Sequence, residues 1–147
     1  GRSWNRAAGI AKDIGIGPRG GIWVIGSQPV QGGFEIFRQV GGNWQMVPGG
    51  GVRIDVDPQG NAWVISDGGD VFRYTGSNWA GVPGVKARDI GIGGDGSVFV
   101  AATDGGVHKW NGQTWVKRDG RLSELTVDAQ GIPFGTSDNK QIWMGYP

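Results

Sequence analysis

Asp89-Ile90-Gly91-Ile92-Gly93-Gly94-Asp95-Gly96-Ser97-Val98-Phe99-Val100 decides how this chain is read, because the sequence writes it four times. The other copies occupy residues 13–24, 53–64 and 124–135. Each begins with apolar residues at alternate positions, passes through a short turn ending in glycine, and resumes with an apolar run carrying an aromatic. Asp57-Pro58-Gln59-Gly60 and Gly94-Asp95-Gly96 are turn chemistry, and alternation with period two is strand chemistry, so each copy predicts a β-hairpin. Self-similarity at this period points to a repeat architecture.

Two further strands complete the unit. The stretches Phe34-Glu35-Ile36-Phe37-Arg38, Asp70-Val71-Phe72-Arg73-Tyr74, Gly106-Val107-His108-Lys109-Trp110 and Gln141-Ile142-Trp143-Met144 follow the hairpins after a variable loop, Ser27-Gln28-Pro29-Val30-Gln31 in the first repeat. A tryptophan strand then opens at Trp44, Trp79 and Trp115, nine or ten residues before the next copy. Trp4 stands nine residues before Asp13 with no hairpin ahead of it. Repeats starting near 13, 53, 89 and 124 therefore predict four-stranded antiparallel blades, the fourth lacking its outer strand. Residues 1–12 hold one spare outer strand, and together with residues 124–147 they make up one repeat length. The expectation is a single all-β domain over residues 1–147. It is a four-bladed β-propeller whose fourth blade is completed by residues 1–12, which removes the open sheet edges. A larger ring built from two chains, or a piece of a longer propeller, is the alternative.

Composition narrows the function. Of 147 residues, 31 are glycine, about three times the usual share of roughly 7%, and they fall at recurring turn positions. The formal net charge is +1 without a basic stripe, so no nucleic-acid partner is expected. No apolar run is long enough for a transmembrane helix. Without cysteine there is no thiolate metal site or cysteine nucleophile. One histidine, His108, and no defensible pair of carboxylates give no catalytic constellation, so neither an enzyme nor a cofactor is expected. Asp55-x-Asp57-Pro58-Gln59-Gly60 resembles the start of a calcium loop but lacks its later carboxylates, and turn-forming Asp is the simpler reading.

The repeat resembles the tectonin (TECPR-type) β-propeller repeat. The likeness is best at Trp79-Ala80-Gly81-Val82-Pro83-Gly84 with residues 89–100, and at Ile36-Phe37-Arg38 and Val71-Phe72-Arg73. It implies a propeller and, from the lectin-like members, binding of glycans or glycoconjugates at blade junctions. An extracellular or cell-surface setting fits that implication, and a cytoplasmic one stays open.

Recurring aromatics read first as packing: Trp4, Trp44, Trp79 and Trp115 in the outer strands, Trp23, Trp63, Phe99 and Phe134 in the hairpins. Residues that vary between blades are the better ligand candidates. These are Asp67, Asp70 and Asp104 in the loops between second and third strands, and Arg73, His108 and Trp143 in the third strands. Arg53 and Arg88 precede or open the hairpins. Carboxylates and guanidinium groups on one rim suit hydrogen bonding to vicinal hydroxyls, while a solvated polar rim is the plain reading. A protein-interaction scaffold, or a minimal or engineered propeller without a ligand, stands beside the lectin.

Overall fold

The computed structural model describes residues 3–147 as fifteen strands in four antiparallel sheets, without a helix among the described residues. Blade 1 is β1 (Asp13–Ile16), β2 (Ile22–Val30), β3 (Gly33–Val40) and β4 (Asn43–Gly51). Blade 2 is β5 (Arg53–Val56), β6 (Ala62–Ile65), β7 (Val71–Tyr74) and β8 (Trp79–Gly81). Blade 3 is β9 (Ala87–Ile92), β10 (Val98–Ala102), β11 (Gly106–Trp110) and β12 (Trp115–Arg121). Blade 4 is β13 (Glu124–Val127), β14 (Pro133–Thr136) and β15 (Ile142–Met144). Every sheet runs in simple sequence order, so the fold is a four-bladed β-propeller of meanders.

The hairpin turns form as their residues dictate. In blade 2 the Gly60 N–H donates to Asp57 O at 2.9 Å, and Gly60 takes φ of 88°, the left-handed region glycine enters without steric cost. The Asp57 carboxylate accepts from the N–H groups of Gln59 and Asn61 at 3.0 and 2.9 Å. Its other oxygen accepts from Trp63 Nε1 at 3.3 Å. Asp57 is thus a turn-capping residue, as expected. Asp128 does the same for Gln130 and Ile132.

The first strands stand side by side around the hub, β1 against β5, β5 against β9 and β9 against β13. A carboxylate fastens each neighbour to the next. Asp13 Oδ2 accepts from Ile54 N at 2.9 Å, Asp55 Oδ2 from Ile92 N at 2.7 Å, and Asp89 Oδ2 from Leu125 N at 2.8 Å. The strands approach so closely that a Cβ at Gly91 would lie 3.1 Å from Thr126 Cα.

Three apolar cores fill the three junctions. Trp23, Ile25, Ile36, Ile54, Val56 and Tyr74 join blade 1 to blade 2. Trp63, Ile65, Ile90, Ile92 and Val100 join blade 2 to blade 3. Phe99, Val107, Leu122 and Leu125 join blade 3 to blade 4. In blades 1 to 3 the hairpin aromatic faces the following blade: Trp23 packs edge-on to Tyr74 at 5.1 Å, and Trp63 to Trp110 at 6.5 Å.

Two expectations change. The segment Ser27-Gln28-Pro29-Val30 is not a loop, because β2 continues to Val30 with a register shift between Ile25 and Pro29. Gly33 and Phe34 pair with Val30 and Pro29, so the turn shrinks to Gln31 and Gly32, which explains the longer first repeat. The fourth sheet has only the strands β13, β14 and β15, and residues 3–12 form no strand with it. They lie along blade 1 instead, where Ala8 O accepts from Trp44 Nε1 at 3.0 Å. Gly1 and Arg2, the start of the expected closing strand, fall outside the described residues.

Candidate functional site

The loops after each second strand share one rim with the segments that lead into each hub strand. Backbone bonds tie them: Ala87 N donates to Gly69 O at 2.9 Å, Thr103 N to Lys86 O at 2.8 Å, and Leu122 N to Gly105 O at 2.9 Å. A cleft opens where this rim meets a blade junction.

Between blades 1 and 2 the cleft holds about 390 Å³. Phe72 and Trp79 supply its aromatic wall, Gly49 lies beside the Trp79 ring, and Ser66, Asp67 and Asp70 form its polar edge. Asp70 pairs with Lys86 Nζ at 2.5 Å, and its own N–H donates to Ser66 Oγ. Asp67 and Asp70 are exposed, so their remaining lone pairs face solvent.

The corresponding space between blades 3 and 4 is wider, about 750 Å³. Trp143 takes the place of Phe72, and Arg88, Arg121, Asp138 and Ser137 line the polar side. Arg88 Nη2 donates to Leu122 O at 2.9 Å and to Asp138 Oδ1 at 3.2 Å, and Ser123 Oγ donates to the same Asp138 oxygen at 2.6 Å. The Ser123 hydroxyl, with the Arg88 charge beside it, holds the Asp138 carboxyl below its ordinary range. That carboxylate stays ionised, an acceptor at the mouth of the cavity.

Asp104 and His108 come together on blade 3, flanking Gly106. A Cβ at that glycine would lie 3.1 Å from Asp104 Oδ1 and 3.4 Å from His108 Cε1. The Gly106 N–H donates to Asp104 Oδ1 at 2.8 Å and, helped by the Arg121 charge, lowers that carboxyl's pKa. His108 Nδ1 is buried without a hydrogen-bond partner among the described residues, a group awaiting a donor or acceptor.

The other candidates stand apart. Arg53 opens β5, with Nε 3.7 Å from Asp89 Oδ1, so it belongs to the hub. Arg73 is in register with Trp63 and shares its face of blade 2, opposite to Phe72. Arg38, at the same position in blade 1, lies 5.8 Å from the Trp23 and Tyr74 rings, which reads as packing. The residue missing from the candidate set is Asp138. Its signal was present in the dipeptides Ser66-Asp67, Thr103-Asp104 and Ser137-Asp138, a hydroxyl residue before Asp in three loops of four.

Among solved structures the fold has clear likenesses. One is YCF48 bound to D1 peptide, 17% identical, with a TM-score of 0.58 over 93% of this chain and 49% of that one. Another is a gluconolactonase of Xanthomonas campestris, 14% identical, with a TM-score of 0.61 over 91% of this chain and 61% of that one. A third is PorZ, a surface component of the type-IX secretion system of Porphyromonas gingivalis, 7% identical, with a TM-score of 0.63 over 90% and 19%. At these identities the likeness concerns the fold alone, and the chain spans less than two thirds of each of these proteins. No curated protein matches it. The family model for the Tectonin domain matches residues 51–146, more than half of the chain and nearly three of the four blades described above. The chain belongs to the tectonin domain family, as a β-propeller fitted for binding or interaction.

Proposed function

We propose that this propeller binds carbohydrate in the clefts where its rim crosses the blade junctions. The observation that carries the reading is the cleft between blades 1 and 2. There an aromatic wall (Phe72, Trp79) faces a carboxylate edge (Asp67, Asp70) across a volume suited to one or two sugar rings. A pyranose offers an apolar C–H face and vicinal hydroxyls, so it needs one surface of each kind. Trp143 with Asp138 and Arg88 supplies both again between blades 3 and 4, and Asp104 with His108 offers polar groups on blade 3. Individually weak sites repeated on one rigid body gain through avidity on a glycan-covered surface. The lectin-like members that the repeat resembles support the same reading.

The test is a glycan-array screen followed by titration of any hit. Asp67→Ala is expected to weaken binding several-fold with the melting temperature unchanged. Arg73→Ala, on the other face of blade 2, is expected to leave binding alone. A blank array at high protein concentration would sink the proposal and favour a peptide or protein ligand on the same rim.

A further inference from the structure

Each outer-strand tryptophan is seated in the same way. Trp44 Nε1 donates to Ala8 O, Trp79 Nε1 to Pro48 O, and Trp115 Nε1 to Val82 O. Beside each ring lies a glycine of the preceding segment, Gly9, Gly49 or Gly84, with φ of 112°, 126° and 112°. A Cβ on any of the three would meet the tryptophan within 3.4 Å. Gly120 belongs to this set, five residues after Trp115 as Gly49 is after Trp44, and has φ of 110°. Nothing lies within 4 Å of a Cβ placed there. The 750 Å³ cavity between blades 3 and 4 is the space beside Gly120, and β15 borders it with an unpaired edge. Ile142, Trp143 and Met144 are 81%, 54% and 65% exposed.

The matching part is at the other end of the molecule. Residues 3–12 lie on blade 1 as residues 43–52 lie on blade 2, yet form no strand, and Trp4 is fully exposed. Beneath them Ile14 and Ile16 are 63% and 62% exposed, while their counterparts Ile54, Val56, Ile90, Ile92 and Leu125 are all below 9%. Phe134, the hairpin aromatic of blade 4, is half-buried where Trp23, Trp63 and Phe99 are buried.

The geometry points to a second copy of this chain as the occupant of both faces. One placement, copied from the three internal junctions, makes both contacts together. It lays Ile14 and Ile16 of the incoming copy over Phe134, adds its Trp4 strand to β15, and seats Trp4 beside Gly120. Two such contacts close a ring of two chains and eight blades, a size propellers commonly adopt. The junction between blades 1 and 2, which keeps a 390 Å³ cleft with Trp79 seated, shows what such a contact leaves open for a glycan. The wider space between blades 3 and 4 therefore narrows to that size when Trp4 is seated.

Native mass and a cross-link test this together. The chain has no cysteine, so Asn5→Cys with Met144→Cys introduces a single pair. These positions correspond to Gln45 and Arg38, which face each other in blade 1. The expected result is twice the 15.5 kDa chain mass, a covalent two-chain product on oxidation, and loss of both when Trp4→Ala is added. A single-chain mass with the disulfide formed inside one chain would overturn the inference in favour of self-closure. A single-chain mass without any cross-link would overturn it outright.

Discussion

The internal junctions and the two end faces use the same repeat positions, and they differ in what covers them. Phe99 and Phe134 hold one position in successive blades, yet Phe99 is fully buried against blade 4 while Phe134 is half-buried. Ile54 and Ile14 differ likewise, at 4% and 63% exposure. Nothing in the side chains distinguishes these pairs. Burial here is a property of the junction, created when a hairpin aromatic, two hub residues and a seated tryptophan meet the next blade. A blade alone is a small twisted sheet that cannot bury its own apolar faces, so its stability depends on its neighbours.

The largest effect that would sharpen this contrast comes from the centre of the molecule. Trp63→Ala empties the middle of the junction between blades 2 and 3 and strands the Asp57 oxygen that its Nε1 serves. It is expected to cost about 3–5 kcal/mol in chemical denaturation. A loss below about 1 kcal/mol would mean that the junction is not a packed core.

Gly91 and Thr126 offer a comparison within the hub. A methyl at Gly91 would meet Leu125 Cδ1 at 2.7 Å and the Thr126 backbone at 3.1 Å. Gly91→Ala is therefore expected to cost about 1–3 kcal/mol. Thr126→Val, on the exposed side of β13, should change the melt by less than about 0.5 kcal/mol. Equal effects would erase the distinction between covered and open faces.

The last effect is a dependence on pH. Burial pushes the Asp55 carboxyl from its ordinary 3.8 up to about 6, against the pull of its bonds to the Val56 and Ile92 N–H groups, with the Asp13 and Asp89 charges adding to the rise. Burial raises Asp89 as well. A carboxyl with a raised folded pKa binds its proton more tightly in the folded state. Its contribution is fully present below about 3.8 and is lost as pH rises through about 6. Stability should fall between pH 4 and 6.5, and Asp55→Asn should flatten most of that slope. A slope unchanged in the variant would assign the titration elsewhere.

Much of the fold was legible because repetition exposes it. The predicted starts at 13, 53 and 124 coincide with β1, β5 and β13, and Asp89 lies two residues inside β9. Trp23, Trp63 and Phe99 proved to be junction packing, as the repeat implied, while Trp4 is fully exposed and Phe134 half-buried. The site was less legible, since the face on which a side chain stands depends on register. Arg73 and Phe72 are adjacent in sequence, yet they stand on opposite faces of β7. Arg53 lies on the hub because β5 begins at that residue. The placement of residues 3–12 could not be read from repeat arithmetic, which shows that a strand is spare but not which sheet receives it.

Paired melts of Phe99→Ala and Phe134→Ala, both in the Trp4→Ala background where the proposed docking is removed, test the junction account most directly. The account predicts a loss of about 3–5 kcal/mol for Phe99→Ala and less than about 1 kcal/mol for Phe134→Ala. Equal losses would contradict it, because they would mean that a neighbouring blade does not decide what these repeat positions are worth.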